Sequence, residues 1–125
     1  MEMVWQEQVP RILVVDDEPM LRGLCVTLLA SWGYQAIEAI DGQDALEKLR
    51  EYSVDAVLLD MNMPRLRGDA LLTRLRRERP GLPVVIMSSE GEGLRKRVLG
   101  LGASSFLSKP FRPAQLKDHI RHALP

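Results

Sequence analysis

Five short strand-like runs, each followed by a helix-like pattern, constrain this chain more than any other feature. Arg11–Val15 is largely apolar, rich in β-branched residues, and ends at Asp16-Asp17. Val54–Leu59 ends in the same way at Asp60, and Pro83–Met87 ends at Ser88-Ser89. Gln35–Ile40 and Ser105–Ser108 are less apolar runs that predict two further strands. The apolar runs are continuous rather than alternating, which suits parallel strands buried on both faces.

Helical spacing fills the gaps. Leu21, Leu24, Cys25, Leu28 and Leu29 fall on one helix face, with Pro19 at a first helical position and Gly33 just past the last turn. Asp41 is placed to cap a second helix carrying Ala45, Leu46 and Leu49. Leu71, Leu72 and Leu75 mark a third, stopped by Pro80-Gly81. Leu94, Val98 and Leu101 mark a fourth, and Pro113, Leu116, Ile120 and Leu124 a fifth. Five strand–helix repeats predict an α/β fold: a parallel sheet with helices on both faces and right-handed crossovers. Residues 11–125 read as one domain and residues 1–10 as a tail, with no internal repeat, linker or second domain.

Composition narrows the function classes. With 46% hydrophobic residues in 125, the chain can build a core. Lys plus Arg equals Asp plus Glu at 17 each, so bulk charge predicts neither nucleic-acid nor membrane binding. Aromatic residues are too few, at 5%, for stacked-base recognition. No apolar run reaches the length of a membrane span, and the first residues lack the apolar core of a signal peptide. Cys25 is the one cysteine, which points to a reducing, cytoplasmic compartment.

In open α/β sheets, ligands bind beyond the carboxyl ends of the strands, where strand order reverses. Those ends carry Asp16, Asp17, Asp60, Ser88 and Lys109. With strand order 2-1-3-4-5, Asp16, Asp17 and Asp60 would face one another. Three such carboxylates repel, and a hard divalent cation resolves the repulsion. Mg²⁺ suits the site, because it prefers oxygen ligands and is commonly held by one or two carboxylates plus a phosphate. Lys109 adds a positive charge and Ser88 a hydroxyl donor. Together they form a phosphoryl-transfer constellation in which a carboxylate attacks in line to give an acyl phosphate.

Asp16-Asp17-Glu18, Asp60-Met61-Asn62-Met63-Pro64, Gly68, Ser88-Ser89 and Lys109-Pro110-Phe111 resemble the receiver domain of two-component response regulators, from about Arg11 to Leu124. The resemblance implies a flavodoxin-like (βα)5 fold with strand order 2-1-3-4-5. It makes Asp60 the phospho-acceptor for a histidine kinase or phosphotransfer protein. It makes Asp17 a direct Mg²⁺ ligand, and Asp16 an acid acting largely through metal-bound water. Asp60 and the backbone carbonyl of Asn62 complete the metal set. Lys109 pairs with the phosphoryl oxygens and precedes a cis proline, Pro110. Ser88 and Phe106 match the switch pair that moves on phosphorylation. Asn62 and Glu90 match the positions that tune hydrolysis, and the pair resembles that of the chemotaxis regulator, implying a short-lived phosphoryl group. The face made by the fourth helix, fifth strand and fifth helix is implied to bind an output partner, in a monomer or a phosphorylation-dependent dimer. Phe106 stands where many receivers carry Tyr. Ser104 and Ser105 stand where the DNA-binding branch has acids that pair across its dimer, so that dimer is not expected. The expectation is a switch rather than a metabolic enzyme, one that catalyses only its own phosphorylation and dephosphorylation.

Duller readings exist for each residue. An Asp after a strand is often a turn residue or helix cap. Phe106 could be plain core, and Glu90 a solvated loop acid. Cys25, on an apolar stripe, reads as inert core. His119 and His122, and the basic runs Arg74–Arg79 and Arg95–Arg97, read as solvated faces. Two rival functions share the constellation. An aspartyl-nucleophile phosphohydrolase of the haloacid-dehalogenase kind wants an acid where Asn62 stands. A phosphorylation-independent pseudo-receiver would not need Asp16, Asp17, Asp60 and Lys109 intact.

Overall fold

The computed structural model describes residues 9–63 and 67–125. Residues 1–8 of the expected tail, and Pro64 of the motif after Asp60, lie outside the described residues. The elements alternate as β1 (Arg11–Val15), α1 (Pro19–Ser31), β2 (Gln35–Ala39), α2 (Gly42–Glu51), β3 (Ala56–Asp60), α3 (Gly68–Glu78), β4 (Val84–Ser88), α4 (Glu92–Gly100), β5 (Ser105–Ser108) and α5 (Pro113–Ala123). The sheet runs β2-β1-β3-β4-β5, and every pairing is parallel.

Burial follows the apolar runs. Every residue of β3 and β4 is buried, as parallel strands covered on both faces should be. One face packs Leu13, Val15, Leu59 and Ile86 against Ala45, Leu46 and Leu49 of α2, Leu71, Leu72 and Leu75 of α3, and Val98 of α4. The other packs Ile12, Val14, Leu58 and Met87 against Cys25 and Leu29 of α1 and Leu116 and Ile120 of α5. Each large side chain taken fully from water contributes about 1.5–3 kcal/mol.

Local signals set the helix ends. Pro19 opens α1, and the Glu18 carboxylate accepts the Leu21 amide at 3.0 Å. Gly33 follows α1 with φ 88°, a left-handed turn that glycine adopts without steric cost. Asp41 caps α2 by accepting the Asp44 amide at 2.9 Å. Pro113 opens α5.

Five strand boundaries differ from the sequence expectation, one of them the start of β4 at Val84 rather than Pro83. β3 begins at Ala56, because the Asp55 carboxylate turns to accept the Arg11 amide at 2.8 Å. β3 and β4 each run one residue further, so Asp60 and Ser88 belong to the strands themselves. β2 stops at Ala39, because the Ile40 amide turns to the Asp44 carboxylate at 3.0 Å. Leu24 also departs from expectation: it lies at the edge of the α1 stripe, half exposed, beside Pro110 and Phe111.

Candidate functional site

β1 and β3 are neighbours, so their carboxyl ends deliver Asp16, Asp17 and Asp60 to one place. Their carboxylates can each offer an oxygen within 4.8 Å of the others. Asp16 and Asp60 are buried, whereas Asp17 is exposed. Lys109 reaches across from the end of β5 and donates from Nζ to Asp60 Oδ1 at 2.8 Å. The Lys109 backbone amide donates to the Ser88 carbonyl at 2.9 Å, and the Lys109–Pro110 peptide is cis.

The acids stand close enough to affect one another. Burial is the main force that pushes the Asp16 carboxyl up to about 6, and the Glu18 amide opposes it. The Asp60 charge adds to the rise, Lys109 reduces it, and Asp17 adds a little more. Asp16 Oδ1 accepts the Glu18 amide at 3.0 Å, while Oδ2 is buried with no hydrogen-bond partner. A buried orphan oxygen among three acids is costly. A cation, or a water bound to one, would satisfy it, so the residues present fit a hard divalent ion such as Mg²⁺.

Of the other predicted residues, Ser88, Glu90 and Asn62 stand at or just past the ends of β4 and β3, while Phe106 lies within β5. Ser88 is fully buried, and its hydroxyl accepts the Glu90 amide at 3.0 Å. That bond ties the β4 end to the following loop. Glu90 and Asn62 are exposed at the ends of β4 and β3. Phe106 is buried in the same cluster as Val98 and Leu71. Gly68 lies tight under the end of β3: a Cβ there would stand 2.9 Å from Met61 Cα and 3.1 Å from the Asp60 carbonyl.

Several functional or structural roles escaped the sequence reading. Arg22 donates from Nη1 to the Asp16 carbonyl at 2.8 Å and from Nε to Glu38 at 2.9 Å. The one hint was an arginine in the first turn of α1, next to the apolar stripe. His119 does not lie on a solvated face. It is half-buried, its Nδ1 shares a hydrogen bond with the Ser105 hydroxyl at 2.9 Å, and burial holds it below the ordinary histidine range. Nor is the α3 basic run wholly solvated. Arg76 donates to the Pro80 carbonyl at 2.8 Å and to the Leu82 carbonyl, and Arg79 donates to the Leu49 carbonyl at 2.8 Å.

Comparison with known proteins agrees with this geometry. The family model for the response regulator receiver domain matches residues 12–121. The response regulator GtcR of Aneurinibacillus migulanus is 40% identical over 114 residues, covering 90% of this chain and 47% of that protein. The aerobic respiration control protein ArcA of Escherichia coli (strain K12) is 34% identical over 119 residues, covering 94% of this chain and 49% of that protein. This chain therefore spans about half the length of these relatives. Among solved structures, the receiver domain of NtrX from Brucella abortus superposes with a TM-score of 0.87 at 34% identity, covering 90% of this chain and 97% of that one. The chemotaxis protein CheY4 of Vibrio cholerae gives a TM-score of 0.87 at 28% identity, covering 94% and 100%. Strand order, the acid cluster at the strand ends and a family match over nearly the whole described chain agree: this chain belongs to the response regulator receiver domain family.

Proposed function

We propose that this receiver domain is a phospho-acceptor switch in which Asp60 takes a phosphoryl group from a histidine kinase or phosphotransfer protein. The observation that carries the reading is Asp60 itself, buried, held by Lys109 at 2.8 Å, and faced by Asp16 and Asp17. A carboxylate oxygen of Asp60 attacks phosphorus in line. The P–O bond forms as the P–N bond to the donor imidazole breaks, and that imidazole retains the electron pair and takes up a proton. Asp16, Asp17, Asp60 and the Asn62 backbone carbonyl would hold Mg²⁺, which supplies charge neutralisation for the phosphoryl oxygens. Lys109 stays in place and transfers its ammonium contact from Asp60 to the new phosphoryl group.

The modified Asp60 then has acceptor oxygens within reach of the β4 end. Ser88 gives up its bond to the Glu90 amide and donates its hydroxyl to the phosphoryl group. That releases the loop before α4 and favours one arrangement of the α4–β5–α5 face, with Phe106 buried beneath it. The face binds or releases an output protein or domain, as a monomer or a phosphorylation-dependent dimer. The domain itself touches neither nucleic acid nor membrane. Among the described residues no helix is long and apolar enough to cross a membrane. We place the domain in the cytoplasm, a reading supported by Cys25, a buried thiol without a disulfide. It turns over no small-molecule substrate and catalyses only its own phosphorylation and hydrolysis.

Acetyl phosphate or beryllofluoride with Mg²⁺ should shift amide resonances of β4–α4 and β5 in the wild type and leave Asp60→Ala unchanged. An unresponsive wild type would favour a phosphorylation-independent module instead. Asn62 and Glu90, both exposed beside the site, should give a short-lived acyl phosphate. Persistence of the phosphorylated form for many hours with Mg²⁺ present would sink that part of the reading.

A further inference from the structure

We infer that Arg22 is a positioning residue for the metal-binding acids, acting through the peptide that joins Asp16 to Asp17, and that Glu38 positions Arg22 in turn. The inference rests on the Mg²⁺ reading above. Side chains on a helix lean toward its N-terminus, so a long one in the first turn of α1 reaches back over the loop it has just left. Arg22 does this. Its Nη1 donates to the Asp16 carbonyl at 2.8 Å and its Nε to Glu38 Oε1 at 2.9 Å. The Arg22 side chain is 16% exposed and that of Glu38 is 50% exposed, so the arginine bond lies largely out of water.

The Asp16 carbonyl is a controlling point. It belongs to the planar peptide whose other end is the Asp17 amide and Cα. The orientation of that plane is set by ψ of Asp16 and φ of Asp17, the two torsions that decide where Asp17 stands relative to Asp16. The preceding peptide is already fixed, because the Asp16 amide donates to the Ala39 carbonyl at 3.1 Å. The Asp16 side chain is fixed by the Glu18 amide at 3.0 Å. Arg22 supplies the remaining restraint, and it does so from a rigid, planar fork. Two acceptors on one guanidinium, one just past β1 and one on β2, set its orientation as well as its place. A lysine, with one nitrogen on a flexible stem, would meet the carbonyl without fixing that orientation. Neither Arg22 nor Glu38 touches the carboxylate oxygens that would hold the ion. Their effect is to keep Asp17 aimed at the centre before the cation arrives.

The test is a Mg²⁺ titration of the unphosphorylated domain, followed through the amide shifts of Asp17 and Asn62. Arg22→Met keeps the apolar stem and loses both donors. It should weaken Mg²⁺ binding by about 10-fold, the scale of outer-shell effects on metal affinity. Arg22→Lys should recover part of that loss. Glu38→Ala, at a half-exposed site, should fold normally and weaken binding in the same direction by less. Val98→Ala, remote from the acids, gauges how far lost stability alone lowers the affinity. Arg22→Met and Glu38→Ala binding Mg²⁺ as tightly as the wild type would overturn the inference and leave the Mg²⁺ reading standing. A loss no larger than that of Val98→Ala at matched stability would overturn it too. A wild type with no saturable Mg²⁺ response would remove the reading beneath it.

Discussion

Helices α3 and α4 cover the same face of the sheet, yet α3 buries Leu71, Leu72 and Leu75 there while α4 buries Val98 alone. The glycines repeat the contrast. Gly68 at the start of α3 is pressed against Met61 and the Asp60 carbonyl, whereas nothing stands within 4 Å of a Cβ built at Gly91, Gly93 or Gly100. So α3 is fastened to the end of β3, whereas α4 adds to Val98 only the partly buried Leu94 and, at its C-cap, Leu101. Elements that move in switching come from the less stable part of a structure. If Asp60 is the proposed phospho-acceptor, the difference marks where a change there would be turned into movement. On the proposed switch reading, the α3 side would hold Asp60 in register and the α4 side would respond.

The strongest way to break this contrast is to cut each anchor. Leu72→Ala should lower the unfolding free energy by about 2–5 kcal/mol. Val98→Ala removes less buried carbon and should cost about 1–2 kcal/mol. Urea denaturation with an unchanged m-value would measure both. Equal losses would mean that α4 is as firmly seated as α3.

Glycine substitutions should sharpen the contrast, because they are expected to differ in sign. Gly68→Ala forces a Cβ against backbone atoms at 2.9 and 3.1 Å, with Met61 Sδ also at 2.9 Å. Such overpacking should cost about 1–3 kcal/mol and slow phosphorylation by displacing the Asp60 strand end. Gly93→Ala sits inside α4 in open space, and alanine is the better helix former by about 0.5–1 kcal/mol. It should raise the melting temperature. Thermal melts and acetyl phosphate uptake check the pair, and a destabilised Gly93→Ala would contradict the picture of an under-packed α4.

What could be read in advance was whatever depends on neighbours in sequence or on burial of whole runs. Pro19, Asp41 and Gly33 act within one turn of their own positions, so the α1 and α2 ends were legible. The β3 and β4 runs were legible because both faces are covered. Asp16, Asp17 and Asp60 could be gathered on paper because strand ends and strand order suffice to place them. Long side chains were not legible in this way. Arg79 ends on the Leu49 carbonyl and Arg22 on Glu38 of β2, partners whose location only the fold decides. The same holds for His119, whose partner Ser105 comes from another element. Leu24 shows the converse error: helical spacing put it on the apolar stripe, but the stripe is wider than the surface that α1 buries.

The smallest expected effect concerns the polar tie between the two helices. Arg97 of α4 forms an ion pair with Asp69 in the first turn of α3. The arginine side chain is 56% exposed, so the pair should contribute only about 0.2–1 kcal/mol. Arg97→Ala should therefore barely change global stability, and even that change should shrink at high salt. Asp69 keeps its bond to the Ala70 amide at 2.9 Å, so α3 should not feel the loss. Hydrogen exchange gives the decisive reading. Amides of α4 should exchange a few-fold faster in Arg97→Ala, and those of α3 at the wild-type rate. Parallel acceleration in both helices would show that they open as one unit. The line between a fixed α3 and a responsive α4 would then have been drawn in the wrong place.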